Sequence, residues 1–514
     1  MNGRRTKDHN RREFLRDVGQ GMFVASLGVG LSSRLGLARS EAWSFDEDDR
    51  LRFGELDPLV DFIAGTPLDR LQPEIIQRLK SGTSLDHLIG AAALANARAF
   101  GGFDYNGYHA FMAMLPSLHM AKLLPPPSQP LPVLKVLYRN STFLAERSGP
   151  DALGKVTPAG TSCDGKQLRE QVRSCNTEVA EQGFQAIAAR SDSESFEAVQ
   201  ELVRDGLDVH RVVLSWRAWD MRRVAGEAHG RTLLRQSVRH CLEAEQSRKR
   251  RGDAEPQIRT VLPAALERFA LTAGKTGEKQ LSDPEFDRLS DTILKSSREE
   301  AAEAVAKALA DGVDPETVGE AMSLAAARLL LNDPGRTREE AGKPKGSMHG
   351  ASVGVHASDA ADAWRSISRS GSDLNRVASL IAGAYHTAGQ FNHAEPMHQS
   401  ALGSLAGKDA KVLARELESA IRSRDQTKAC VAADAWLETG GTREELLDAL
   451  LPFAVSEDGA LHAEKYFATV FSQSSTNRAV LRRTHLVALA RVCASQQGFP
   501  APGQEEARRL LGLS

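Results

Sequence analysis

The sequence predicts an all-α protein: four helical repeat units of about four helices each, stacked as a solenoid or a closed toroid. Three observations carry this. Only 5% of the 514 residues are aromatic while Ala, Leu, Glu and Arg abound, a balance that favours helix over strand. The chain is too long for one compact core. And one motif, a helix end followed by a glycine, a capping residue and a second helix, occurs four times.

The four copies are "LKSGTSLDHLIGAAAL" from Leu79, "LVRDGLDVHRVVLSW" from Leu202, "ALADGVDPETVGEAM" from Ala308 and "LETGGTREELLDAL" from Leu437. Gly82, Gly206, Gly312 and Gly440 suit the left-handed position that ends a helix, where a Cβ would clash. Two residues on, Ser84, Asp208, Asp314 and Thr442 can accept a hydrogen bond from the exposed amides of a new helix. Pro315 suits the first helical position, and Thr442 with Glu445 reads as a capping box. Six residues after each glycine stands an aliphatic residue, Leu88, Val212, Val318 or Leu446, expected to face the core.

A second echo follows each copy: a small residue and a histidine near the start of another helix. His109, His229, His356 and His462 lie 27, 23, 44 and 22 residues after their glycines. The third interval is lengthened by a Gly/Pro/Lys-rich insertion at 332–350, expected to act as a lid. Further apolar helical segments are expected at 133–144, 258–269, 374–385 and 480–492. The units therefore span 55–150, 180–272, 285–405 and 410–514. Linkers are expected at 125–132, 148–165, 246–255 and 274–284. Trp216, Trp219, Trp364 and Trp436 fall on amphipathic helices, as core residues do.

The first 42 residues read as an export signal: a basic start, a modest apolar run from Gly21 to Leu37, then small residues before a cut near Ala42. "NRREFLR", with the paired Arg11 and Arg12, resembles the twin-arginine motif. That resemblance implies a chain folded before it crosses the membrane by the twin-arginine machinery, then periplasmic or extracellular. The apolar run is too short for a stable span. Removing residues 1–42 leaves a net charge of −6, which with the −2 of the whole chain disfavours a nucleic-acid surface. The short basic run "SRKRRG" (247–252) reads as a solvated loop.

A repeated histidine at a helix start is held neutral by the positive end of the helix dipole, the form that ligates metal or acts as a base. Four such imidazoles around one axis would suit iron or another transition metal. Asp104, Glu227, Asp359, Asp458 and Glu464 lie close by in sequence. A second cluster, "AYHTAGQFNHAEPMHQSALG", adds His393, Glu395 and His398, the last two spaced as in the Glu-x-x-His pairs of di-iron bundles. The opposing reading is that each imidazole fastens its helix to a carbonyl of the preceding turn.

No P-loop, GxSxG elbow, HExxH or strand-flanked GxGxxG occurs. The five cysteines form no CxxC pair, although Cys163 and Cys175 are near enough in sequence to bridge. No carboxylate recurs with the repeat, which ranks a glycan hydrolase last.

"HGRTLLRQSVRHCLEA" (229–244) resembles questin oxidase-like helical proteins, as do "YHAFMAMLPSLHMAKLL" and "NHAEPMHQSALGSLAG" over short windows. The resemblance implies oxidation of an aromatic substrate without a flavin domain. Two functions follow from the sequence: an exported metal-dependent oxidoreductase with a histidine-lined central site, or a non-catalytic helical scaffold that binds a small molecule or protein.

Overall fold

The computed structural model describes residues 49–513 apart from 148–149, 159, 161, 340–343, 349–351 and 391–397. The export signal, His393 and Glu395 therefore lie outside the described residues. Among the described residues 74% are helical and no strand forms. No described helix is long and apolar enough to cross a membrane.

The chain divides into two compact units. The first comprises described residues up to Arg259 together with 502–513. It holds α1 (Asp57–Gly65), α2 (Leu68–Lys80), α3 (Leu85–Phe100), α4 (Tyr105–Leu123) and α5 (Pro130–Glu146). Next come α6 (Gly165–Arg173), α7 (Thr177–Ala188), α8 (Asp192–Val203), α9 (Val209–Ala225) and α10 (Gly230–Arg251). The helix α11 (Ile258–Arg268) leads into the second unit, Thr260–Ala501.

The second unit contains α12 (Asp283–Lys295), α13 (Arg298–Ala310), α14 (Pro315–Asn332), α15 (Val353–Ser370) and α16 (Asp373–Ala388). It continues with α17 (Ala410–Arg422), α18 (Gln426–Glu438), α19 (Arg443–Ser456), α20 (His462–Gln473) and α21 (Ala479–Gln496). A last helix, α22 (Gln504–Leu511), packs on α2 and α5 of the first unit.

The four expected caps all form. Ser84, Asp208, Asp314 and Thr442 accept backbone N–H bonds at the starts of α3, α9, α14 and α19, and Thr442 completes its capping box with Glu445. Each such cap stabilises its helix by about 1 kcal/mol. Leu88, Val212, Val318 and Leu446 are fully buried, so the fixed offset marks the core face of each helix.

The glycines divide. Gly82, Gly312 and Gly440 have φ of 99°, 82° and 89°, as expected. Gly206 does not belong to the positive-φ glycines. A neighbour crowds it instead: a Cβ there would lie 2.5 Å from the Arg211 guanidinium, which would have to shift.

Other expectations need correction. "SRKRRG" is helical to Arg251, with Gly252 at φ 68° closing α10. Its four basic residues sit in the last turn, where they complement the negative end of the dipole. The expected linker at 246–255 therefore shrinks to the residues after Arg251. The Pro-rich stretch at 125–132 is a 3-10 turn (Pro126–Ser128) running into α5, whose Pro at the first turn starts the helix. Near the end of the insertion Met348 is fully buried, and its backbone amide and carbonyl are held by the Ser495 hydroxyl of α21. Trp364 and Trp436 are core, whereas Trp216 and Trp219 are half-buried, Trp219 stacked on Phe196. All five cysteines are free thiols, Cys163 and Cys175 included.

In each unit a histidine-bearing helix is largely buried among its neighbours. In the first, α4 packs against α3, α5 and α9. In the second, α15 packs against α14, α16 and α20, and every residue from Gly354 to Ser368 is buried. Glycines two positions before the histidines permit this crowding. A Cβ on Gly107 would stand 2.4 Å from the Phe100 ring, and one on Gly354 would stand 2.3 Å from the Leu330 Cα.

Candidate functional site

The second unit brings two of the expected histidines together. His356 sits in the first turn of α15, where Ser352 caps the helix by accepting from the Val355 amide. His462 opens α20 after a short turn, Gly459–Leu461, in which all three residues are left-handed, with φ of 50°, 48° and 65°. Two of these, Ala460 and Leu461, carry side chains, and each costs about 1–2 kcal/mol in that conformation. The turn aims the His462 ring. Its Nδ1 donates to the Ala460 carbonyl at 2.9 Å, which leaves Nε2 as the lone-pair nitrogen.

That Nε2 lies 3.3 Å from Nε2 of His356, with the ring planes at 85°. In the protein alone His356 is the donor and His462 the acceptor. Two imidazole nitrogens bound to one tetrahedral metal at ~2.0–2.1 Å would be about 3.3–3.4 Å apart. The spacing thus fits a shared proton or a shared ion. A carbonyl on the far nitrogen, as His462 has, is the usual outer support of a metal-ligating histidine.

Below the pair runs a buried polar seam between α15 and α20. His356, Asp359, Asp362 and Arg365 recur every third residue, which places them along one stripe of α15. Thr469 donates to Asp359 at 2.9 Å, Gln473 donates to Asp362 at 2.6 Å, and Arg365 donates to Gln473 at 2.5 Å. Arg365 also pairs with Glu316 and Glu320 of α14. Burial would raise the Glu316 carboxyl, but Arg369 and Arg365 outweigh it and hold it at about 2. Such a seam fixes the register of the two helices, because every polar group needs its partner. On another face of α15, the Trp364 indole N–H donates to His386 Nδ1 at 3.2 Å.

The first unit places His109 elsewhere, in a cluster of rings. Tyr105, Tyr108 and His109 on α4 meet His210 from α9 and His240 from α10. Tyr108 is central, its ring 4.9, 5.2 and 5.1 Å from those of His109, His210 and His240. Three oxygen acceptors fix the imidazoles. His109 Nδ1 donates to the Tyr105 carbonyl at 2.8 Å, His240 Nδ1 to the Gly102 carbonyl at 3.1 Å, and His210 Nδ1 to Asp208 at 3.1 Å. Burial lowers His240 to about 4 and keeps it neutral. Burial also pushes Tyr105 up to about 12 and Tyr108 well above the usual phenol range.

His210 and His240 were missed from sequence. The available signal was the adjacency of His210 to the helix-capping Asp208. No spacing announced His240, which meets the cluster only through the packing of α10.

The remaining expected ligands stand singly. His229 lies in a 3-10 turn (Glu227–His229) with its ring edge-on to Phe53 at 5.5 Å, and burial lowers its pKa. His398 is buried, its Nδ1 makes no hydrogen bond, and burial lowers its pKa against the pull of Asp434. Among the described residues, no group of three or more His, Cys, Asp or Glu side chains is arranged to hold a metal. Compared with known proteins, the chain matches no family model, no curated protein and no solved structure.

Proposed function

We propose that this chain is an exported helical-repeat protein in which His356 and His462 together hold a transition-metal ion for an oxidation. The observation that carries the reading is the 3.3 Å Nε2–Nε2 approach of two histidines from separate helices. One is aimed by a strained turn whose own carbonyl fixes its tautomer. Two protein ligands leave coordination positions for water or substrate, as a catalytic metal requires. When bound, the ion would polarise a substrate or mediate electron transfer. Binding would require His356 to carry its proton on Nδ1 instead of Nε2, so that both Nε2 lone pairs could face the ion.

The repeat reading is supported by helix order. Twenty of the twenty-two described helices fall into four runs of five, α1–α5, α7–α11, α12–α16 and α17–α21, one more per run than the sequence pattern indicates, with α6 and α22 outside the runs. In every run the glycine stands between the second and third helices and the histidine at or near the start of the fourth. The export reading rests on the twin-arginine-like N-terminus.

The scaffold reading has its own support: His109 and His462 both donate Nδ1 to a carbonyl at most four residues back, as a purely structural imidazole would. Metal analysis of protein recovered after export separates the two. The metal reading expects about one equivalent of transition metal, lost in His356→Ala and in His462→Ala. The scaffold reading expects no retained metal and only a loss of stability.

A further inference from the structure

The first unit contains a cleft of about 410 Å³, lined by Arg50, Arg98, Arg147, Asp61 and Asp151 together with apolar atoms of α1, α3 and α5. Three guanidinium groups share two carboxylates there. Arg50 and Arg98 both reach Asp61, at 3.1 and 2.8 Å, and both reach Asp151 at 3.4 Å, while Arg147 reaches Asp151 at 3.2 Å. The side chain of Arg98 is only 1% exposed. Its Nε and Nη2 face the two aspartates, but its Nη1 has no hydrogen-bond partner. Arg147 is partly compensated by the Ala99 carbonyl at the end of α3. Three guanidinium groups against two carboxylates leave the charged lining of the cleft with one more positive side chain than negative ones, which a bound anion would balance.

We propose that this cleft binds the oxyanion of a small acid, a carboxylate or a phosphate. Guanidinium forks match either group with paired, charge-assisted hydrogen bonds. The volume falls in the range of small-molecule sites. The site is independent of the histidine pair, which lies in the other unit.

The test is calorimetric titration of the full chain with inorganic phosphate and, separately, with succinate at low ionic strength. Saturable one-site binding of at least one of them is expected, and which one binds identifies the headgroup. Arg50→Gln and Arg147→Gln, at 30% and 24% exposed positions that tolerate change, should each weaken binding at least ~10-fold. Asp61→Asn, which removes a competing carboxylate, should tighten it. Absence of saturable binding by both anions, or affinity in both arginine variants equal to that of the parent chain, overturns the proposal.

Discussion

The two units each place a histidine near the start of a largely buried helix, two residues after a glycine that lets a neighbour approach, yet surround it differently. Around His356 the neighbours are polar and directional: a second imidazole from α20, then a ladder of carboxylate, amide and guanidinium groups. Around His109 they are aromatic, with two tyrosines and two further histidines packed ring against ring. The lesson is that a residue's place in a helical pattern settles its burial and its cap, while the partner helix settles its chemistry. His462 arrives at His356 only because Gly459–Leu461 turns left-handed before α20 begins.

The comparison can first be broken at its glycines. In Gly354→Ala the new Cβ meets the Leu330 backbone, which cannot move without separating α14 from α15. In Gly107→Ala it meets the Phe100 ring and its Cβ, at 2.4 and 2.6 Å, a side-chain contact rather than a backbone one. Urea denaturation should register a loss above ~3 kcal/mol for Gly354→Ala and about 1–3 kcal/mol for Gly107→Ala. Equal losses would mean that α14 and α15 are not in backbone contact.

Acid should act through both units, and its sign follows from depressed pKa values. His485 of α21, fully buried with its Nε2 2.9 Å from Ser323, is lowered by burial to about 3, and His240 of α10 to about 4. Unfolded, each titrates near ~6.5, so between that pH and the folded value the unfolded chain binds more protons. Stability is therefore complete above ~6.5 and falls as pH drops toward 3–4, by a few kcal/mol per group. Thermal melts of His485→Asn and His240→Asn from pH 7 to 4 should be flatter than those of the parent chain. A parallel decline would remove these two residues from the account.

A smaller effect is expected at the strained turn. Ala460→Gly relieves a left-handed alanine at φ 48° and should raise stability by about 1 kcal/mol. A loss of that size would mean that the alanine methyl packs better than its backbone is strained.

Much of the helical order was legible in the sequence, because caps and core offsets are local. Ser84, Asp208, Asp314 and Thr442 could be read as helix starts from side-chain chemistry alone, and Leu88, Val212, Val318 and Leu446 as core from their spacing. Gly206 was misread because a glycine that ends a helix without positive φ looks, in sequence, like one that needs it. "SRKRRG" was misread because charge suggested solvent, although charge at a helix end also extends the helix. The site was half legible: His356 and His462 were both singled out, but their meeting depends on tertiary packing. The polar stripe His356, Asp359, Asp362, Arg365 was visible in part, its meaning fixed only by Thr469 and Gln473 across the interface.

The central claim, that His356 and His462 share an ion while His109 does not, is tested most directly by cobalt(II) titration of the metal-free full chain. Visible absorption of tetrahedral cobalt reports the site. The account predicts a saturable band at one equivalent, abolished in His356→Gln and in His462→Gln and retained in His109→Gln. A band that survives in His356→Gln and His462→Gln, or no band in the parent chain, would contradict it.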